Sequence, residues 1–130
     1  HSAAGQDVEE DVQTAKQLAG KKGNAAMLAY LQGKIASTAA IRHRFNLYLV
    51  LCQLLLQQKQ TSLLRPFVDE ILALIDRHQL EQWEPELALQ ALSVSYQCLH
   101  KADRKRNEEK LRDLFARITL LSAQKSLEIL

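Results

Sequence analysis

Four histidines, two cysteines and several clustered carboxylates are the residues whose chemistry could make this chain an enzyme. Hydrolysis or group transfer requires a nucleophile beside a base and an orienting group, and a metal centre requires closely spaced His, Cys or acidic ligands. The sequence contains no phosphate-binding, dinucleotide-binding, nucleophile-elbow or zinc-protease motif. We therefore predict that the chain is not an enzyme, and that it binds no cofactor and no metal.

The histidines occupy positions that favour a surface role over a catalytic one. His43, His78 and His100 each lie next to basic residues, at the ends or on the surfaces of predicted helices. Positive charge is favoured near a helix C-terminus, where it interacts with the helix dipole. We expect these three side chains to be solvated or to cap helices.

The two cysteines, Cys52 and Cys98, lie far apart inside apolar helical patterns. A disulfide or a metal site is the alternative, but no C-x-x-C pair or Cys/His cluster accompanies either residue. We expect two buried thiols in a reducing compartment.

The densest run of charge extends from His100 to Lys110. Acidic residues interleave with the basic ones, and no aromatic residue lies between them for stacking on bases. The net charge of the chain is only +2. We expect a solvated helix start and no nucleic-acid partner, while a basic patch for a phosphate or an acidic partner is the alternative.

Composition favours one helical domain. The chain has 130 residues, of which 47% are hydrophobic, and its four Gly and two Pro are too few for the frequent turns of a β-sandwich or barrel. The longest apolar run, residues 47–56, is shorter than the roughly 20 residues of a membrane span. We expect residues 1–5 to be a tag or cleavage remnant, and residues 6–130 to be a single helical domain from a longer protein.

Apolar residues recur at three- and four-residue spacing along the chain, which predicts an all-α fold of six or seven helices. The predicted helices span about residues 7–19, 25–36, 39–58, 62–78, 85–100, 106–120 and 122–130. At the start of the first helix, Asp7, Glu9, Glu10 and Asp11 are expected to favour the positive end of the dipole. Short connections predict antiparallel hairpins in a solenoid-like bundle, an irregular version of the tetratricopeptide arrangement.

The third predicted helix is apolar around most of its circumference. Its polar residues form one stripe, which consists of Arg42, Asn46, Gln53 and Gln57. Such a helix is buried either at the centre of its own domain or against a second copy. If it contributes to a dimer, we expect the interface to include Leu47, Val50, Leu51 and Leu54.

The only tryptophan, Trp83, lies in the connection before Pro85. We expect its indole to fill the space between the helices on either side. The alternative is a role as an interface anchor, in which Trp is enriched.

Four strings in the sequence resemble the TssA (VasJ/ImpA-related) proteins of bacterial type VI secretion systems. They are Arg42–Leu54, similar to R-x-R-F-x-x-x-L-x-L-A-x-L; Ile75–Ala88, similar to I-x-x-H-x-L-x-x-W-E-P-x-L-A; Tyr96–Leu99; and Leu114–Ile118, similar to L-[YF]-x-R-[LI]. The residues that carry the motifs are Arg42, Phe45, His78, Leu80, Trp83, Glu84 and Pro85. The family's later L-D-P is replaced here by Leu121-Ser122-Ala123.

The resemblance implies the middle or C-terminal helical domain of a non-enzymatic assembly factor. The implied partners are the chain itself, as a homodimer within a larger symmetric oligomer, and the baseplate, tube and sheath proteins of the secretion system. Nucleic acid and membrane are not among them, and the implied location is the bacterial cytoplasm, at the secretion apparatus. The alternatives are the sheath-anchoring branch of the family and a peptide-binding adaptor.

Overall fold

The structure, a computed structural model, describes residues 2–130 and places the side chains of residues 8–130. The described residues form eight α-helices and a short 3-10 turn, without a β-strand. The helices are α1 Ser2–Lys22, α2 Asn24–Ser37, α3 Ile41–Gln57, α4 Leu64–Arg77, α5 Leu80–Trp83, α6 Pro85–Asp103, α7 Glu108–Leu121 and α8 Ala123–Ile129, and the 3-10 turn is Thr61–Leu63. The prediction of an all-α fold is confirmed, and the short helix α5 is an addition to it.

The described residues divide into two compact units, the first ending at Gln58 and the second consisting of Lys59–Leu130. In the first unit, α1, α2 and α3 contact one another. Helix α2 buries Met27, Leu31 and Ile35, one residue per turn on a single face. Each of these side chains stabilises the fold by about 2 kcal/mol through the apolar area that it removes from water. The expectation of a single domain over residues 6–130 stays a prediction.

Helix α1 is longer than its sequence pattern indicates. It continues to Lys22, and only Gly23, whose φ of 91° is in the region that favours glycine, separates it from α2. It begins at Ser2, so the acidic residues are not in its first turn, and the expectation that they favour the helix dipole is wrong.

Of the residues expected to be a tag remnant, His1 lies outside the described part of the chain. The side chain of Asp7 is also outside it.

Helix α3 is buried over most of its circumference, as its sequence predicts. Its buried residues are Phe45, Leu47, Leu49, Leu51, Cys52, Leu54 and Leu55. Of the predicted polar stripe, Arg42, Gln53 and Gln57 are exposed and Asn46 is half-buried. Both cysteines are buried, as expected.

In the second unit, α6 contacts α4, α5 and α7, and α8 packs on α7. Pro85 begins α6 at its first position, where its missing N–H has no partner to lose. Ser122 caps α8 by accepting a hydrogen bond of 3.2 Å from the backbone N–H of Lys125. Among the described helices, none combines the length and apolar character needed to cross a membrane.

Candidate functional site

The four residues predicted for a dimer interface lie along α3. Leu47 and Leu51 have no exposed surface in the single chain, and Leu54 is 4% exposed. Val50 is half-buried. A second copy can remove from water only the area that the first leaves exposed, so Val50 is the residue of this set that can contribute most. The assignment of these residues to an interface stays a prediction.

The motif residues from His78 to Pro85 build the corner between α4 and α6. His78 caps the C-terminus of α4 with its backbone N–H, which donates to the carbonyl of Leu74 at 3.1 Å. Gln79 follows in the left-handed conformation, with φ 50° and ψ 46°. A non-glycine residue there costs about 1 kcal/mol, and the surrounding contacts must offset it. The other motif residues behave differently: Phe45 belongs to the core of α3 at 1% exposure, and Arg42 is exposed.

Trp83 ends α5 and keeps 74% of its surface exposed. The expectation that its indole fills the space between the flanking helices is therefore wrong. The physical reason is that α4 and α6 pack directly against each other, with Ile71, Ile75 and Leu92 fully buried. The alternative, an aromatic residue available to a partner, agrees with the observed exposure.

Arg117 of α7 holds this corner in place. Its guanidinium donates to both carboxylate oxygens of Glu81, with Nη2–Oε1 at 2.6 Å and Nε–Oε2 at 3.2 Å. Nη2 also donates to Oδ1 of Asp76 at 2.7 Å. The hydrogen bonds to Glu81 raise the pKa of Arg117 above its usual value, although burial acts in the opposite direction. Two parallel bonds of this kind fix position and orientation together, so α5 is anchored two residues before Trp83.

The pairing of Arg117 with Glu81 was not predicted from the sequence. Both residues belong to strings that carry the family resemblance, the first to Leu114–Ile118 and the second to Ile75–Ala88. Because the two residues carry opposite charges and both lie in such strings, an ion pair between them could have been proposed from the sequence. Spacing along the chain could not reveal it, because the two residues are 36 positions apart.

A second polar cluster, in the first unit, centres on Asp11. Its carboxylate accepts a hydrogen bond of 2.8 Å from Tyr30 Oη and lies 3.3 Å from Nε2 of His43. Lys34 Nζ is 3.8 Å from the same carboxylate. The side chain of His43 is only 12% exposed, so the expectation of a solvated or capping histidine is wrong at this position. Burial, followed by the hydrogen bond to Asp11, raises the pKa of Tyr30.

This cluster connects α1, α2 and α3 around a polar cleft. The hydroxyls of Ser37 and Thr38 also line the cleft, and each donates to the carbonyl of Lys34. Because Asp11, Tyr30 and His43 lie on three different helices, their contacts connect these helices. Within residues 8–130, no three His, Cys, Asp or Glu side chains are grouped closely enough to hold a metal ion.

Most of the charged run from His100 to Lys110 is exposed, as expected, but Asn107 is 5% exposed. Its Oδ1 accepts a hydrogen bond of 2.7 Å from Nη1 of Arg65, and its Nδ2 donates to the carbonyl of Leu99 at 3.1 Å. Asn107 therefore connects α4 and α6 at the position where α7 begins. The expectation of a solvated helix start is wrong for this residue.

Comparisons with known proteins agree with this fold. A family profile described as "Type VI secretion, EvfE, EvfF, ImpA, BimE, VC_A0119, VasJ" matches residues 1–94. Among solved structures, a chain described as "EAEC T6SS TssA-Cterminus" is similar, with a TM-score of 0.75 and 24% sequence identity. The match covers 89% of this chain and 92% of that chain, and it establishes the fold. A comparison with curated protein sequences found no significant match.

Proposed function

This chain belongs to the type VI secretion family that includes ImpA and VasJ, and on that premise we propose that it is a non-enzymatic assembly domain. In this proposal, the domain acts by binding copies of itself and other proteins of the secretion apparatus. The family is one of structural and assembly proteins, which supports a role without catalysis.

The observation that carries the proposal is the exposure of Trp83 on an anchored corner. An indole that is 74% exposed leaves most of its apolar area in water, and a partner gains stability by covering it. Tryptophan is enriched among the few residues that dominate binding energy at interfaces. The bonds from Arg117 to Glu81 reduce the conformational freedom of α5, so less entropy is lost when a partner binds.

Self-association is the first binding activity that we propose, as a homodimer within a larger symmetric oligomer. A two-fold dimer uses the same patch on both copies, and an exposed aromatic residue suits such a patch. The predicted interface on α3, with Val50 as its most accessible residue, is the competing location. The two locations predict different effects for substitutions at Trp83 and at Val50.

The second binding activity is contact with baseplate, tube or sheath proteins, in the bacterial cytoplasm at the secretion apparatus. Family membership supports these partners. The sheath-anchoring branch of the family and a peptide-binding adaptor are the alternative roles.

Co-purification tests the second activity. The tagged chain, its Trp83→Ala variant and its Gln90→Ala variant are each mixed with purified baseplate, tube and sheath proteins of one secretion system. Gln90 is exposed on α6 and serves as the matched control. We expect at least one of these proteins to be retained by the chain and by Gln90→Ala, and to be lost with Trp83→Ala. If the chain retains none of these proteins, the proposed contacts are contradicted. If the chain and both variants retain them equally, the role of Trp83 is contradicted.

A further inference from the structure

A groove between α6 and α7 has the chemistry of a peptide-binding site. Trp83 is not among the residues that line it. We propose that this groove binds an acidic peptide that carries a bulky apolar side chain between its carboxylates. The cleft has a volume of about 500 Å³, and the end of the chain at Leu130 also lines it. The groove has an apolar floor and a basic rim.

The floor consists of Tyr96, Leu111 and Phe115. Leu111 is 6% exposed, and the two aromatic rings are half-buried, with centroids 6.3 Å apart and planes tilted by 51°. Aromatic rings in this arrangement leave an apolar surface against which an aliphatic or aromatic side chain can pack. The groove is thus apolar at its base, as sites that hold one anchoring side chain are.

The rim of the groove is basic. His100 stacks on Tyr96, with ring centroids 6.1 Å apart and an interplanar angle of 18°. Arg104 and Arg112 also line the groove and are exposed. Glu108 is the acidic residue of the rim, and it lies 3.8 Å from Nη1 of Arg112 in an exposed pair. Such a pair is weak, so it leaves Arg112 able to exchange Glu108 for a carboxylate of a ligand.

Positive charge continues beyond the groove along the connection between α6 and α7. An adjoining cleft is lined by Arg104, Lys105 and Glu108. From residue 101 to residue 106 the chain carries four cations and one carboxylate, Asp103, whose Oδ1 accepts from the backbone N–H of Arg106. An acidic ligand is therefore favoured by charge complementarity, which also raises its association rate.

These features favour a peptide over a nucleic acid. The floor rings are half-buried and tilted, so they offer no parallel faces on which successive bases could stack. A peptide can place its carboxylates at Arg104 and its apolar side chain on the floor. The charged run from His100 to Lys110 then has the role of a basic patch for an acidic partner.

Fluorescence anisotropy of a labelled octapeptide with one Phe flanked by Glu residues tests the proposal. The comparison peptides replace Glu by Gln or Phe by Ala, and a labelled oligothymidine represents nucleic acid. Arg104→Glu reverses the charge at one position of the rim, and Lys16→Glu, on the exposed face of α1, is the control with the same change of charge. We expect saturable binding that weakens at least about tenfold with Arg104→Glu or with either peptide change, and less than about twofold with Lys16→Glu.

Absence of saturable binding up to about 1 mM peptide, equal loss with Arg104→Glu and Lys16→Glu, or tighter binding of the oligothymidine would overturn the proposal. Amide chemical-shift changes locate the site, and we expect them at Tyr96, His100 and Phe115. Changes confined to other residues would contradict this location. The same titration with Trp83→Ala separates peptide binding from self-association. We expect this variant to bind the peptide as the wild type does, because Trp83 does not line the groove.

Discussion

Arg117 holds both carboxylate oxygens of Glu81, at 2.6 and 3.2 Å, and thereby fixes the one-turn helix that ends at Trp83. A helix of four residues is far below the length at which an isolated helix is stable in water. The position of the exposed indole therefore depends on a contact made by a residue of α7. This dependence allows the anchoring of the corner to be tested separately from the exposure of the indole.

Replacing Arg117 by Gln is expected to lower the free energy of unfolding by about 1 kcal/mol. The effect is modest because Glu81 is 33% and Asp76 64% exposed in their side chains, so water screens both carboxylates. Arg117→Lys is expected to restore less than half of the loss, since an ammonium group cannot make the two parallel bonds. Urea denaturation measures the difference, and a lysine variant as stable as the wild type would contradict the role of the paired bonds.

Asn107→Leu is expected to destabilise the fold by about 1–3 kcal/mol, because the substitution removes the buried hydrogen bond from Nδ2 to the carbonyl of Leu99. It also removes the acceptor for Nη1 of Arg65. The same substitution at exposed Gln97 on α6 is the control and should change stability by less than about 0.5 kcal/mol. Denaturation midpoints report both values, and equal effects at the two positions would show that the Asn107 bonds contribute nothing.

Asp11→Ala is expected to cost about 1–3 kcal/mol, because it removes the acceptor shared by Tyr30 and His43. Asp11→Asn keeps an oxygen for the Tyr30 hydroxyl, but it replaces the oxygen that faces His43 by an NH2 group and removes the charge. Because one acceptor remains, it should cost less than Asp11→Ala. Thermal unfolding followed by circular dichroism measures the series. Finding the asparagine variant as unstable as the alanine variant would mean that the hydrogen bond from Tyr30 contributes little to the stability of the cluster.

The pKa of Tyr30 is raised above its usual value of 10.0 by burial and by its hydrogen bond to Asp11. The folded chain therefore retains this proton to higher pH than the unfolded chain does. It follows that the contribution of Tyr30 to stability is complete below about pH 10 and is lost as pH rises through the folded pKa. The difference in unfolding free energy between the wild type and Tyr30→Phe should be constant below about pH 10 and should shrink as the pH rises above that value. A difference that stays constant above about pH 10 would contradict the raised pKa.

The parts of the fold that depend on local spacing could be predicted from the sequence. The apolar positions of α2, α4 and α7 recur with the helical period. Helix α3 is apolar around all but one polar stripe, which identified it as a buried helix. Helix α5 could not be predicted in this way, because one turn contains too few residues to show a period. The left-handed conformation of Gln79 could not be predicted either, because glycine or asparagine adopts this conformation more readily than glutamine.

The roles of individual polar residues were less predictable than the helices. His43 and Asp11 are 32 positions apart, and Asn107 and Arg65 are 42 apart, so neither pair has a local signature. Trp83 shows the same limitation for an apolar residue. Whether its indole is buried depends on the presence of a gap between α4 and α6. The periodicity of each helix does not contain that information.

The central claim, self-association through Trp83, is tested most directly by the solution mass of the chain. Light scattering over about a hundredfold range of concentration would compare the wild type with Trp83→Ala and Val50→Glu, and thermal unfolding would check that each variant is folded. We expect a wild-type mass that rises to at least twice 14.7 kDa, a Trp83→Ala mass that stays at 14.7 kDa, and a Val50→Glu mass that follows the wild type. A wild-type mass of 14.7 kDa at every concentration would contradict self-association, and a folded Trp83→Ala variant that associates like the wild type would contradict the role of Trp83.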